Sequence, residues 1–219
     1  MTATVLADWW SWLPDLLGGL LRSALLSGTA LAIGLPLGLL LALALQAAGR
    51  GTGVALAALV ELSRGVPVLV LIYVAYFGLP SAGLTLSSFA AVVAAIAVSV
   101  GGFSAEVFRG GLRAVGRTQR DAARAVGLST LDQYRRVILP QALRHAVPPV
   151  TGLAVQVVQL TALAFTVGYP ELLARGSEIG TLEDRHLSVL ALSALLYLAL
   201  LVPLTRFASR RTGTRGWSR

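Results

Sequence analysis

The sequence contains no cysteine and no lysine; all eighteen of its basic residues are arginine. Without cysteine, a disulfide framework, a thiolate nucleophile and a Cys-ligated metal are excluded. Without lysine, the Gly-Lys-Ser/Thr of a phosphate-binding P-loop is excluded, so any ATP used must be bound by another subunit. Only His145 and His186 could supply imidazole, and they lie far from acidic clusters. No metal site or His-based catalytic centre is expected. Charge is scarce as well, at 13% of 219 residues, against about 25% in an ordinary soluble domain. With 56% hydrophobic residues and a mean hydropathy of +0.76, the chain is too apolar for water. Its net charge of +8 does not point to nucleic acid, because the arginines sit between long apolar runs, where a membrane protein places them.

Crossing about 30 Å of hydrocarbon takes roughly 20 apolar residues. The apolar runs predict an all-α integral membrane protein with five spans, at about 22–46, 56–79, 85–108, 146–168 and 187–208. The turn Gly78-Leu79-Pro80-Ser81-Ala82-Gly83 separates spans 2 and 3. Arginine placement orients them with the N-terminus outside and the C-terminus inside. Eight arginines fall between Arg109 and Arg144, while the opposite side carries Asp8, Asp15, Glu171, Glu178, Glu183 and Asp184. Residues 1–21 then form an extracytoplasmic segment in which Trp9, Trp10 and Trp12 read as an interfacial aromatic anchor. The absence of a basic region before the apolar stretch argues against a cleaved signal peptide. Residues 22–208 form the membrane domain, and residues 209–219 a basic inner tail suited to anionic lipid.

The long inner segment, 109–145, has helix punctuation rather than the texture of a tether. Thr118 is placed to cap a helix, with Asp121 in its first turn. Ala122 and Ala123 continue it, Gly127 is the natural left-handed stop, and Leu128 folds back in a Schellman ending. Ser129 caps a second helix, expected to stop before Pro140.

The stretch QRDAARAVGLSTLDQYRRVILPQALRHAVPP resembles the EAA loop of ABC-transporter permease subunits, with Asp121-Ala122-Ala123, Gly127 and Ile138-Leu139-Pro140 in the pattern's places. Further motifs resemble the polar amino acid importers of that family: Glu61-Leu62-Ser63-Arg64-Gly65-Val66-Pro67, Tyr76-Phe77-Gly78-Leu79-Pro80, Ala105-Glu106-Val107-Phe108-Arg109-Gly110-Gly111, and Val137-Ile138-Leu139-Pro140-Gln141-Ala142. The resemblance covers about residues 18–210. It departs in span 4, where the family's Asn, Lys, Asp and Ser are missing, although Thr161 and Glu171 remain.

The resemblance implies a type I importer permease fold in a bacterial inner membrane and no catalysis by this chain. It implies two permease chains, identical or paralogous, around one pathway. ATPase subunits holding ATP and Mg dock inside, and a solute-binding protein outside. Asp121, Ala122, Ala123, Gly127 and Leu128 are the implied ATPase-coupling residues. Two repeats, Glu61/Arg64 and Glu106/Arg109, place opposite charges on one helix face. They read either as neutralising interfacial pairs or as gate contacts formed in one state. Gln156, Gln159 and Thr161 are costly polar groups within span 4. They read either as interhelical hydrogen-bonding groups or as pathway lining. A polar amino acid is the implied solute. Ectoine or betaine, and a non-transporting scaffold, are the competing readings.

Overall fold

The computed structural model describes the backbone of residues 2–212 and the side chains of residues 8–206. The expected lipid contacts of Arg210, Arg211 and Arg215 lie outside the described side chains. The elements are α1 (Thr2–Ala47), α2 (Arg50–Gly65), α3 (Val68–Tyr73), α4 (Ser88–Ala114), α5 (Arg117–Ala125), α6 (Thr130–Asp132), α7 (Leu139–Leu160), α8 (Leu172–Leu182) and α9 (His186–Thr212). A π-helical turn, Val74–Gly78, and a 3₁₀ turn, Leu79–Ala82, extend α3; a π-helical turn, Gln133–Ile138, joins α6 to α7.

Among the described residues, four helices are long and apolar enough to cross a membrane, and a bent pair makes a fifth. Three expectations change. First, the segment 1–21 is not separate from span 1, because α1 runs unbroken past Pro14. Second, span 2 is not one rod over 56–79. The chain turns by 96° between Arg50–Gly65 and Val68–Ala82. Pro67 causes the break: its ring disfavours the helical conformation of the residue before it, and Val66 is extended at φ −80° and ψ 130°. Third, the second inner helix does not stop at Pro140. Helical structure continues from Thr130 to Val167. A proline normally clashes with the carbonyl four residues back. Here a wide turn precedes it, with the Leu139 N–H donating to the Tyr134 carbonyl five residues back, which relieves that crowding.

α1 and α4 form the central pair. A Cβ on Gly34 would lie 2.6 Å from Val100 Cγ1, and one on Gly38 would lie 2.7 Å from the Gly101 carbonyl. Only glycine allows this approach, the usual basis of tight helix packing in lipid, where the hydrophobic effect no longer drives association. Three apolar clusters follow the molecule's length. The middle one is built on Leu26, Ile72, Ile96, Val100 and Val157. The arginine-rich end is built on Phe108, Leu112 and Ile138. The opposite end is built on Trp12, Leu16, Leu172 and Val189. Trp12 is buried, and Trp9 Nε1 donates to Ser188 Oγ at 2.9 Å. Only Trp10 is exposed, so two of the three tryptophans expected to anchor in lipid pack against protein instead.

Candidate functional site

The inner segment forms a fixed corner. Gly116 occupies the N-cap of α5 and Thr118 lies inside its first turn, so the expected Thr118 cap does not form. The far end follows the sequence reading. Gly127 is left-handed at φ +74°. Its N–H donates to the Arg124 carbonyl at 2.9 Å, and the Leu128 N–H donates to the Ala123 carbonyl at 3.2 Å. These are the two bonds of a Schellman ending. Ser129 Oγ then accepts from the Asp132 N–H at 3.2 Å and donates to Asp132 Oδ2 at 2.7 Å. Gln133 Nε2 donates to the Leu128 carbonyl at 2.8 Å, pinning the two helices across the corner.

Asp121, Ala122 and Gly127 are exposed, Leu128 is half-buried and Ala123 is buried. Asp121 lies 3.6 Å from Arg124 in an open ion pair. Arg120 Nη2 donates to the Leu112 carbonyl at 2.7 Å, tying α5 to the end of α4. Val126 is 74% exposed and Leu131 77% exposed. They flank the corner as apolar side chains without cover in the most hydrophilic stretch of the chain.

Both acidic–basic repeats pair locally. Arg64 holds Glu61 through two nitrogens, with Nη2 to Oε1 at 2.7 Å and Nε to Oε2 at 3.1 Å. Arg109 Nη1 pairs with Glu106 Oε1. Each pair closes within one turn of its own helix.

The three polar residues singled out in span 4 separate. Gln156 faces a cleft of about 220 Å³ where the bend meets α4 and α7, bordered by Arg64, Val66, Pro67, Ser99 and Phe103. Gln156 and Gln159 are both exposed, but Gln159 does not border that cleft. Thr161 is fully buried, with Oγ1 donating to the Val158 carbonyl at 2.7 Å.

Glu171, read from sequence as one of several outer acids and as a residue retained from the family pattern after span 4, is a fully buried hub. It caps α8, accepting from Leu173 N–H at 2.9 Å and Ala174 N–H at 2.8 Å. Ser23 Oγ donates to its Oε2 at 3.2 Å and Tyr197 Oη at 2.8 Å. The available signal was local: a carboxylate just before the apolar run Leu172-Leu173-Ala174 favours a helix N-terminus. Its partners in α1 and α9 had no such signal.

Rods long and apolar enough to cross a membrane, a cleft at a helix break and a braced hydrophilic corner fit a membrane-embedded component. The family model described as binding-protein-dependent transport system inner membrane component matches residues 34–211, and the chain belongs to that family. It is 33% identical over 213 residues to the glutamine transport system permease protein GlnP of Escherichia coli (strain K12), covering 95% of this chain and 97% of that one. A probable amino-acid ABC transporter permease protein, YckA of Bacillus subtilis (strain 168), is 33% identical over 141 residues, which are 64% of this chain and 62% of the relative. In the crystal structure of an amino acid ABC transporter with histidines, the matching chain superposes with a TM-score of 0.87 at 25% identity, covering 94% of this chain and 97% of that one.

Proposed function

We propose that this chain is the permease subunit of an ATP-driven amino acid importer in a bacterial inner membrane. It pairs with a second permease chain around one pathway. It receives solute from an extracytoplasmic binding protein and meets a separate ATPase at the corner around Gly127. ATP and Mg reside in that ATPase.

The observation that carries this reading is the rod from Thr130 to Val167. One end carries the exposed Leu131 beside the braced corner, and the other passes Gln156 at the cleft. A force applied to Val126 and Leu131 by closing ATPase subunits therefore reaches the membrane interior through a continuous helix. Such elements support the rocking of packed bundles between inward and outward states. The names of the relatives support amino acids as the solute class over the compatible solutes.

Competitive uptake tests the reading. Entry of labelled amino acids, ectoine and betaine is compared in cells with and without this chain, its partners being expressed. Loss of uptake for an amino acid is expected. Loss confined to ectoine or betaine would overturn the substrate class, and no loss at all would overturn transport.

A further inference from the structure

The inner ends of α4 and α5 enclose a strongly basic cavity. Arg113 stands in the last turn of α4, and Arg117, Arg120 and Arg124 follow on α5. Spacings of three and four residues put the α5 arginines on one helix face, and all four border a cavity of about 540 Å³. Asp121 is the only acidic residue bordering it among the described residues, and its carboxylate lies 3.6 Å from Arg124. One nitrogen of Arg120 is occupied by the Leu112 carbonyl at 2.7 Å. Arg113 and Arg117 are exposed and make no hydrogen bond or ion pair among the described residues.

Four arginines against one aspartate leave the cavity with positive charge in excess, and like charges so close repel one another until an anion joins them. A guanidinium presents its donors as a planar fork that matches the oxygens of a phosphate. The position indicates where that phosphate comes from. α4 has 27 residues and is therefore about 40 Å long, whereas the hydrocarbon core is about 30 Å thick. Its ends reach the headgroup layers, and Arg113 is next to its last residue, Ala114. Basic pockets at that level on the inner side suit anionic headgroups. A zwitterionic headgroup brings an ammonium as well, which the arginines repel. The volume falls within the roughly 300–1,000 Å³ of pockets that hold whole small molecules, enough for a headgroup.

We propose that Arg113, Arg117, Arg120 and Arg124 form a site for the phosphate of an anionic lipid headgroup in the inner leaflet. The proposal goes beyond the transport reading and takes from it only the inner position of the arginine-rich end. A headgroup held there bridges α4, a membrane rod, to α5, the first helix of the corner, and so braces the corner against the membrane surface.

The test uses the purified complex of the full chain with its ATPase and second permease in detergent. Cardiolipin, phosphatidylglycerol and phosphatidylethanolamine are titrated into it, and bound lipid is read by native mass spectrometry. The two anionic lipids are expected to bind at least tenfold more tightly than phosphatidylethanolamine. The double variant Arg113→Gln with Arg117→Gln is expected to weaken their binding tenfold or more. Arg135→Gln with Arg144→Gln removes the same charge outside the cavity and is expected to leave binding within twofold of the unaltered chain. Equal losses in the two double variants would reduce the effect to a generally basic surface and overturn the site, as would equal affinity for all three lipids. Inorganic phosphate is titrated separately, by its effect on thermal unfolding. Stabilisation that the first double variant abolishes, with lipid affinity unaltered, would overturn the lipid source in favour of a soluble phosphate. Loss of the ATPase from that variant, again with lipid affinity unaltered, would give the cavity to a protein partner and overturn the proposal. Solute-stimulated ATP hydrolysis by the unaltered complex is read in parallel. Its absence would overturn the transport reading and leave the lipid site standing.

Discussion

Tyr197 donates a hydrogen bond to Glu171 at 2.8 Å, joining residues 26 apart in sequence on α9 and at the cap of α8. The carboxylate has no side-chain cation within bonding distance among the described residues; its charge is met by two backbone N–H groups, Tyr197 and Ser23. Hydrogen bonds to a charged group contribute about 1.5–3 kcal/mol each. Glu171→Ala is therefore expected to lower stability by at least ~2 kcal/mol, and Tyr197→Phe by less. Thermal unfolding of the purified protein in detergent checks this. An unchanged Tm in Glu171→Ala would show that the hub contributes nothing.

The tryptophans divide into two classes by burial. Trp12 is 6% exposed and Trp10 75% exposed. Emptying a buried aromatic site costs about 3–5 kcal/mol, so Trp12→Ala is expected to destabilise strongly and Trp10→Ala hardly at all. A lipid-anchoring role for all three would give similar losses. The same unfolding measurement in detergent distinguishes the two patterns.

The corner at Gly127 tolerates no side chain without strain. Its φ of +74° costs a β-branched residue about 1–2 kcal/mol. Gly127→Val is expected to reach the membrane in normal amount, because the corner lies outside the spans. It is expected to lose most solute-stimulated ATP hydrolysis. Normal stimulation in that variant would remove the corner from the coupling path.

The Glu106–Arg109 pair closes within one helical turn. Glu106→Arg alone places two like charges three residues apart, where such neighbours repel by about 0.2–0.5 kcal/mol. The exchanged pair, Glu106→Arg with Arg109→Glu, is expected to restore both membrane level and uptake. Restored level with absent uptake would instead assign the pair to a gate, read by another helix in a second state.

Much of this architecture was legible in the sequence where local chemistry decides it. Gly127 needs no neighbour to be left-handed, and Ser129 caps Asp132 through contacts three residues away. The prolines were harder to read. Pro67 and Pro140 carry the same two disabilities, a missing donor and a bulky ring. One breaks a helix by 96° and the other is absorbed by a wide turn, and the outcome depends on the turn that precedes each. Contacts across the chain left no local trace. Ser23 meets Glu171 over 148 residues and Trp9 meets Ser188 over 179. The cleft was half visible: Gln156 stood out as a polar residue in a span, whereas the bend at Pro67 that opens the cleft against α4 depends on packing between distant segments.

The wide turn at Gln133–Ile138 also fixes a phase. Each residue added to an α-helix rotates everything beyond it by about 100°, whereas a π turn takes up a single extra residue locally. Losing one residue inside that turn would tighten it and leave Gln156 at the cleft. Losing one between Gln141 and Val155 would swing Gln156 away from the cleft altogether. Length variation in this rod is therefore expected to be tolerated at the wide turn and nowhere else between the corner and the cleft.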